Sequence, residues 1–204
     1  MSSSLVGSEM CIRDSLYSNT TGQMNIAIGS TALNDNTTGS YNIAIGTSTM
    51  QYNTTGIQNV AVGSAALYSN TTGMYNTALG DQAMNYNTTG YSNSGIGFQA
   101  LFRNQSGFDN TALGFQALYN NTTGDFNTGV GFRTGYNNFS GNRNVFIGYE
   151  AGYNELGSNK LYISNSQSNN LITGDFSTGE LNLGQTQGTV SVLNALAVAG
   201  DLYL

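Results

Sequence analysis

The residues that usually carry catalysis are few in this chain and badly placed for it. It has no histidine, so the commonest general base and metal ligand is missing. Its single cysteine, Cys11, lies near the N-terminus. The carboxylates Asp35, Asp81, Asp109, Asp125 and Glu150 stand singly. A calcium-binding β-roll repeats an aspartate in a G-G-x-G-x-D pattern, and no such pattern recurs here. In "GDFSTGE", Asp175 and Glu180 bring two carboxylates into one turn, which reads as a solvated hairpin. These residues predict a protein that is not an enzyme and that uses no cofactor and no metal.

What does recur is polar or aromatic. N-x-[ST] returns at Asn19, Asn36, Asn53, Asn70, Asn87, Asn104, Asn121 and Asn138. It matches a glycosylation acceptor, but an Asn and Thr that bond the backbone ahead of a glycine explain it better as a turn. Phe98, Phe115, Phe132 and Tyr149 fall in one column, where Ser30, Thr47, Ser64 and Asp81 stand earlier. An aromatic stripe of this kind is a candidate ligand-contact column for a glycan, and equally a packing seam. Tyr68, Tyr119 and Tyr136 form a second, patchier column. Recurrent threonines such as Thr20, Thr37 and Thr54 raise ice binding as a further alternative, although the paired threonines are adjacent and cannot share one strand face.

The columns exist because the chain repeats itself. From Leu16 the period is 17 residues, with later units starting at Leu33, Met50, Leu67, Met84, Leu101, Leu118 and Gly135. The consensus is [LM]-x-x-N-T-T-G-x-x-N-x-A-[IVL]-G-x-x-A, and eight units follow without insertion. So strict a short period means stacked repeats. Seventeen residues with two glycines leave no room for a helix pair, whereas "NIAIG" alternates as a strand does. The fold class expected is all-β, a parallel β-solenoid or β-roll of eight 17-residue coils over 16–151. Each coil is expected to hold a short strand, a turn, a second extended piece and another turn. Short strands of a stem-like C-terminal segment over 152–204 are expected to follow.

The thirteenth position is always aliphatic, at Ile28, Ile45, Val62, Leu79, Ile96, Leu113, Val130 and Ile147, and is the predicted structural core column. The first position supplies a second apolar column. The twelfth is Ala or Gly in seven units and reads as a tightly approached surface. So thin a core barely offsets the ordering of 17 residues per coil, which predicts association of identical chains through the small Ala/Gly face.

Charged residues make up 8% of the chain and the net charge is −6, with five Lys and Arg in all. No basic footprint for nucleic acid is present. No apolar run approaches the 18 residues or so that would predict membrane insertion. Residues 1–15 break the repeat, and "LVGSEMCIRD" resembles a translated sequencing-library adapter, which implies a non-native tail and a true N-terminus further upstream. "NKLYIS", "NLITGDF" and "GELNLG" read as short strands with turns at Gly174 and Gly179. "TVSVLNALAVAGDLYL" continues in alternating style and stops without a polar tail, so a truncated C-terminus is expected.

"NIAIGSTAL", "NTALGDQAM" and "NTALGFQAL" resemble the head repeats of YadA-like trimeric adhesins, whose unit carries N-x-V-A-I-G. The 17-residue spacing and the N-T-T-G insert depart from that pattern and bring the chain nearer to repeat-bearing tail-fibre and cell-surface proteins. "NRNVFIGYEAGYNELGSNKLYISNS" is similar to the segment that closes such arrays ahead of a stem and an endosialidase-type intramolecular chaperone. The resemblance implies a homotrimeric fibre, located on a bacterial cell surface or in a virion tail fibre. It also implies a host-surface glycan or protein receptor as partner.

Overall fold

A computed structural model describes residues 15–168 and 170–184. The adapter-like reading of 1–15 falls outside these apart from Ser15, and the extended, alternating reading of 189–204 falls outside them entirely. The protein is all-β, with no helix among the described residues. Each coil contributes one three- or four-residue strand: β1 Ile26–Ile28, β2 Ile43–Ile45, β3 Val60–Val62, β4 Thr77–Leu79, β5 Ser94–Ile96, β6 Thr111–Leu113, β7 Thr128–Val130 and β8 Val145–Gly148. All pair in parallel with a 17-residue register, as in Ile28↔Ile45 and Val130↔Ile147. β9 (Lys160–Ser164) continues the parallel order on β8, while β10 (Asn170–Asp175) and β11 (Glu180–Leu183) close the sheet as antiparallel strands. The turn before β11 is at Gly179, whereas Gly174 lies inside β10.

The inward face is the opposite of the one predicted. The aliphatic column points out of the coil, with Ile28 48% and Leu113 46% exposed. Position twelve points inward instead: Ala44, Ala61 and Ala78 are all 0% exposed, so the Ala/Gly face is interior and not available to another chain. Volume decides between the two faces. The first-position side chains Leu33, Met50, Leu67, Met84, Leu101 and Leu118 enter from the opposite wall and are fully buried. They leave little space across the coil. A Cβ placed at Gly95 would stand 2.8 Å from Met84 Cγ, and one at Gly129 would stand 3.0 Å from Leu118 Cγ. An isoleucine in that row would overpack.

Two asparagine columns complete the interior. Asn53 Nδ2 donates to Asn36 Oδ1 at 2.7 Å and to Gly56 O at 3.1 Å, and Asn70 Nδ2 repeats the first bond to Asn53 Oδ1 at 2.7 Å. In the second column Asn59 donates both its N–H, at 3.0 Å, and Nδ2, at 3.1 Å, to Asn42 Oδ1. These buried amides are satisfied rung by rung, which removes the desolvation cost that isolated buried amides would carry. The glycine of N-T-T-G is required for the same reason. A Cβ at Gly56 would overlap the Asn53 Oδ1 and would lie 2.5 Å from Gly73 O and 2.8 Å from Asn70 Nδ2.

The rest of each coil is not a second strand. Thr37 O accepts the N–H groups of both Thr20 and Thr21, at 2.9 and 3.1 Å, in place of a ladder bond. Three residues per coil are left-handed; in the third coil they are Met50 (φ 51), Gln58 (φ 55) and Ala65 (φ 53). These tight corners consume the residues expected to be extended.

Candidate functional site

Coil-to-coil stacking converts sequence columns into ladders on the outside of the rod. Phe98, Phe115, Phe132 and Tyr149 are brought together as expected: their ring centroids are 5.2, 5.2 and 5.1 Å apart and their planes differ by 18, 10 and 6°. Phe102, Tyr119, Tyr136 and Tyr153 form a second stack with centroids 4.9 to 5.0 Å apart. Of the patchier column of the sequence, Tyr119 and Tyr136 join this stack, extended by Phe102 and Tyr153, whereas Tyr68 is cut off by Asn85 and meets Tyr52 edge-on at 4.9 Å instead. Between the two lies a ladder of amides. Gln99 Nε2 donates to Gln82 Oε1 and Gln116 Nε2 to Gln99 Oε1, both at 2.8 Å, and Arg133 Nε donates to Gln116 Oε1 at 2.9 Å. The Arg133 guanidinium lies 5.1 Å from the Phe132 ring and 5.7 Å from the Tyr136 ring, so one cation touches both stacks. Burial between its neighbours pushes the Tyr136 phenol up from its ordinary range, with Tyr119 and Tyr153 adding to the shift.

A third aromatic group escaped sequence reading. Tyr91 and Phe108 stack at 4.8 Å, and Phe126 meets Phe108 edge-on at 5.1 Å. Phe126 sits one place later in its coil than Tyr91 and Phe108, so strict column counting hides the contact. Scoring adjacent positions together would have revealed it.

Stacking limits what the rings can offer. Each internal ring has a neighbour at about one coil spacing on both sides, so its faces are largely covered and its edges remain. A sugar that packs its C–H face flat on an aromatic ring needs a free ring face.

The polar recurrences are also committed to the scaffold. Asn36, Asn53, Asn70, Asn87, Asn104, Asn121 and Asn138 of the N-x-[ST] motifs are fully buried, and their Nδ2 groups are engaged in the ladder. The hydroxyls of Thr37, Thr54 and Thr71 donate to the next coil's carbonyl at 3.0 Å, leaving the neighbouring Thr38, Thr55 and Thr72 as the exposed ones.

The carboxylates stay apart. Among the described residues no three His, Cys, Asp or Glu side chains are grouped as a metal site. Asp175 pairs with Lys160 at 2.6 Å across β9 and β10, and this bond, followed by those from Ser177, holds its carboxyl well below the usual range. Glu155 accepts from Tyr162 Oη through Oε2 and from Gly157 N through Oε1, each at 2.6 Å. Burial, then the bond to Glu155, pushes the Tyr162 phenol up to about 12.

The most extensive unassigned surface is the outer face of the strands. Position thirteen runs its whole length as Ile, Val or Leu, flanked in the first three coils by Ile26, Ile43 and Val60. The strand residues of this face carry no charge from β1 to β8. The row is a continuous, partly exposed apolar stripe on a parallel sheet.

No family model matches the chain, and neither does any curated protein or any solved structure.

Proposed function

We propose that this chain is a segment of a structural, adhesive fibre: a stiff rod that assembles as a homotrimer and presents a receptor-binding surface. The bacterial cell surface or a virion tail fibre is its proposed location. The observation that carries the reading is the uncharged aliphatic column on the outside of the strands. Covering it would gain on the order of 1 kcal/mol for each half-exposed side chain, repeated along eight coils. The likeness of the N-I-A-I-G units to YadA-like heads, which are trimers, supports the same number of chains. Sedimentation equilibrium of the full chain tests it, with three chains per particle expected and a folded monomer overturning the reading.

A second reading is that the rod itself binds a host-surface glycan or protein through Phe98, Phe115, Phe132 and Tyr149. Its support is their exposure, 40% for Phe98 and Phe115 and 50% for Tyr149. Binding on a glycan array that is lost in Phe115→Ala and Phe132→Ala would establish the glycan form. Binding unchanged by both would reject it for these residues.

A further inference from the structure

The second aromatic stack ends at Tyr153, whose plane lies 2° from that of Tyr136, and among the described residues no further ring covers its other face. Beside it the repeat changes. Counting 17 from Asn138 places Glu155 in the first asparagine column. A carboxylate cannot donate to Asn138 Oδ1, so the ladder stops, and Asn144 Nδ2 meets that oxygen instead at 3.3 Å. Tyr162 follows Phe146 in the register of β8 and β9. Where the column ends, a cavity of about 220 Å³ is lined by Tyr153, Asn154, Glu155, Tyr162, Gln167 and Asn170. Its polar groups are only partly used. Glu155 accepts from Gly157 N and Tyr162 Oη, which occupy two of the roughly four lone-pair sites of a carboxylate. Asn154 Oδ1 is engaged by Asn137 Nδ2 at 2.9 Å, so the group left over on that amide is a donor, Nδ2. Asn170 Oδ1 is buried with no hydrogen-bond donor among the described residues, a situation that folded proteins rarely leave standing.

We infer that this cavity binds one sugar residue of a glycan, with the C–H face of the sugar ring on Tyr153 and its hydroxyls on Glu155, Asn170 and Asn154. Size sets the first limit. The cavity is smaller than the roughly 300–1,000 Å³ of drug-sized sites, and a single pyranose ring suits it. Hydrogen bonding sets the second. A hydroxyl donates to the Glu155 carboxylate and to Asn170 Oδ1, and it also accepts from Asn154 Nδ2. An alkylammonium only donates, so it leaves Asn154 Nδ2 without an acceptor. An anion is repelled by Glu155. The aromatic face sets the third, because the inner rings of both stacks are covered on both sides while Tyr153 is covered on one. A sugar held here touches none of Phe98, Phe115, Phe132 and Tyr149. It therefore stands or falls apart from glycan binding along that column, and apart from any assembly of chains.

Saturation-transfer difference NMR on the full chain tests the site. The probes are the methyl glycosides of glucose, galactose, mannose and N-acetylglucosamine, with tetramethylammonium chloride as the cation control. At least one glycoside is expected to receive saturation, strongest at the C–H protons of one ring face. Tyr153→Phe keeps the ring and is expected to keep the signal. Tyr153→Leu keeps apolar bulk at the end of the stack and is expected to weaken binding about fivefold or more. Asn170→Ala removes the unpartnered acceptor and is expected to weaken binding about tenfold. Circular dichroism checks each fold, and Asn170→Ala decides alone if Tyr153→Leu unfolds. No transfer to any glycoside, transfer unchanged by both Tyr153→Leu and Asn170→Ala, or binding of tetramethylammonium and of no glycoside overturns the inference. Transfer lost in Phe115→Ala but intact in Tyr153→Leu overturns it too, and leaves the Phe98–Tyr149 column as the glycan site.

Discussion

Phe146 occupies the space that Gly135 leaves empty. A Cβ at Gly135 would overlap the Phe146 ring at Cδ2, and one at Gly152 would overlap it at Cδ1. In earlier coils the pair is Ala or Gly at position twelve with Leu or Met at position one; here the large and small partners have exchanged walls. Phe146→Ala therefore opens a cavity and is expected to cost about 3–5 kcal/mol in urea denaturation. Gly135→Leu alone is expected to destabilise by overpacking, and it also places a side chain at φ 55. The double variant restores the arrangement of the other coils. It is expected to be more stable than the sum of the single changes by about 2 kcal/mol or more.

Asn70 tests the interior ladder. It donates to Asn53 Oδ1 and Gly73 O and accepts from Asn87 Nδ2. Asn70→Ala leaves a buried donor and a buried acceptor without partners, at a cost of about 2–5 kcal/mol by denaturation. Because the same amide is fully buried, mass spectrometry of protein expressed in a glycosylating host is expected to find Asn70 unmodified on folded chains.

The outer column should behave oppositely to the inner one. Leu79→Glu and Leu113→Glu place charge on the strand face, where the side chains are already partly in water. Circular dichroism is expected to be unchanged while sedimentation shifts toward single chains. Loss of the folded spectrum in both variants would place these leucines in the coil's own core.

Tyr162 provides a pH readout at the closing end. Its phenol is raised from 10.0 to about 12, so the neutral form, which donates to Glu155, is the one the fold prefers. The stability it contributes is complete below pH 10 and is lost as pH rises through about 12. In an ultraviolet alkaline titration one tyrosine should ionise last, and Tyr162→Phe should remove that step.

Left-handed corners allow a stabilising change. Gln58 is exposed, non-glycine and at φ 55. Gln58→Gly is expected to raise stability by about 1 kcal/mol in urea denaturation, since relief of left-handed strain exceeds the added freedom of the unfolded chain.

The stacking, its 17-residue register and the pairing of like with like were legible in the chain itself. A period without insertions leaves each coil one way to match the next, and Asn and Gly at fixed offsets need the same neighbours every time. Leu67 and its equivalents were identified as core from their columns alone, and the Phe98 stack from its spacing. Which side of the strand faced inward was not legible. Alternation in "IAIG" separates Ile43 and Ile45 from Ala44 but assigns neither set to the interior. Hydrophobicity favours the isoleucines, but the width of the coil favours the alanine, because Met50 and the asparagines have already filled the opposite wall. That width is set by the left-handed corners at Ala65 and Leu67, which alternation and hydrophobicity do not announce. The ladder of like residues is thus a property of the repeat, and the wet or dry side of each ladder is a property of packing volume in the closed coil.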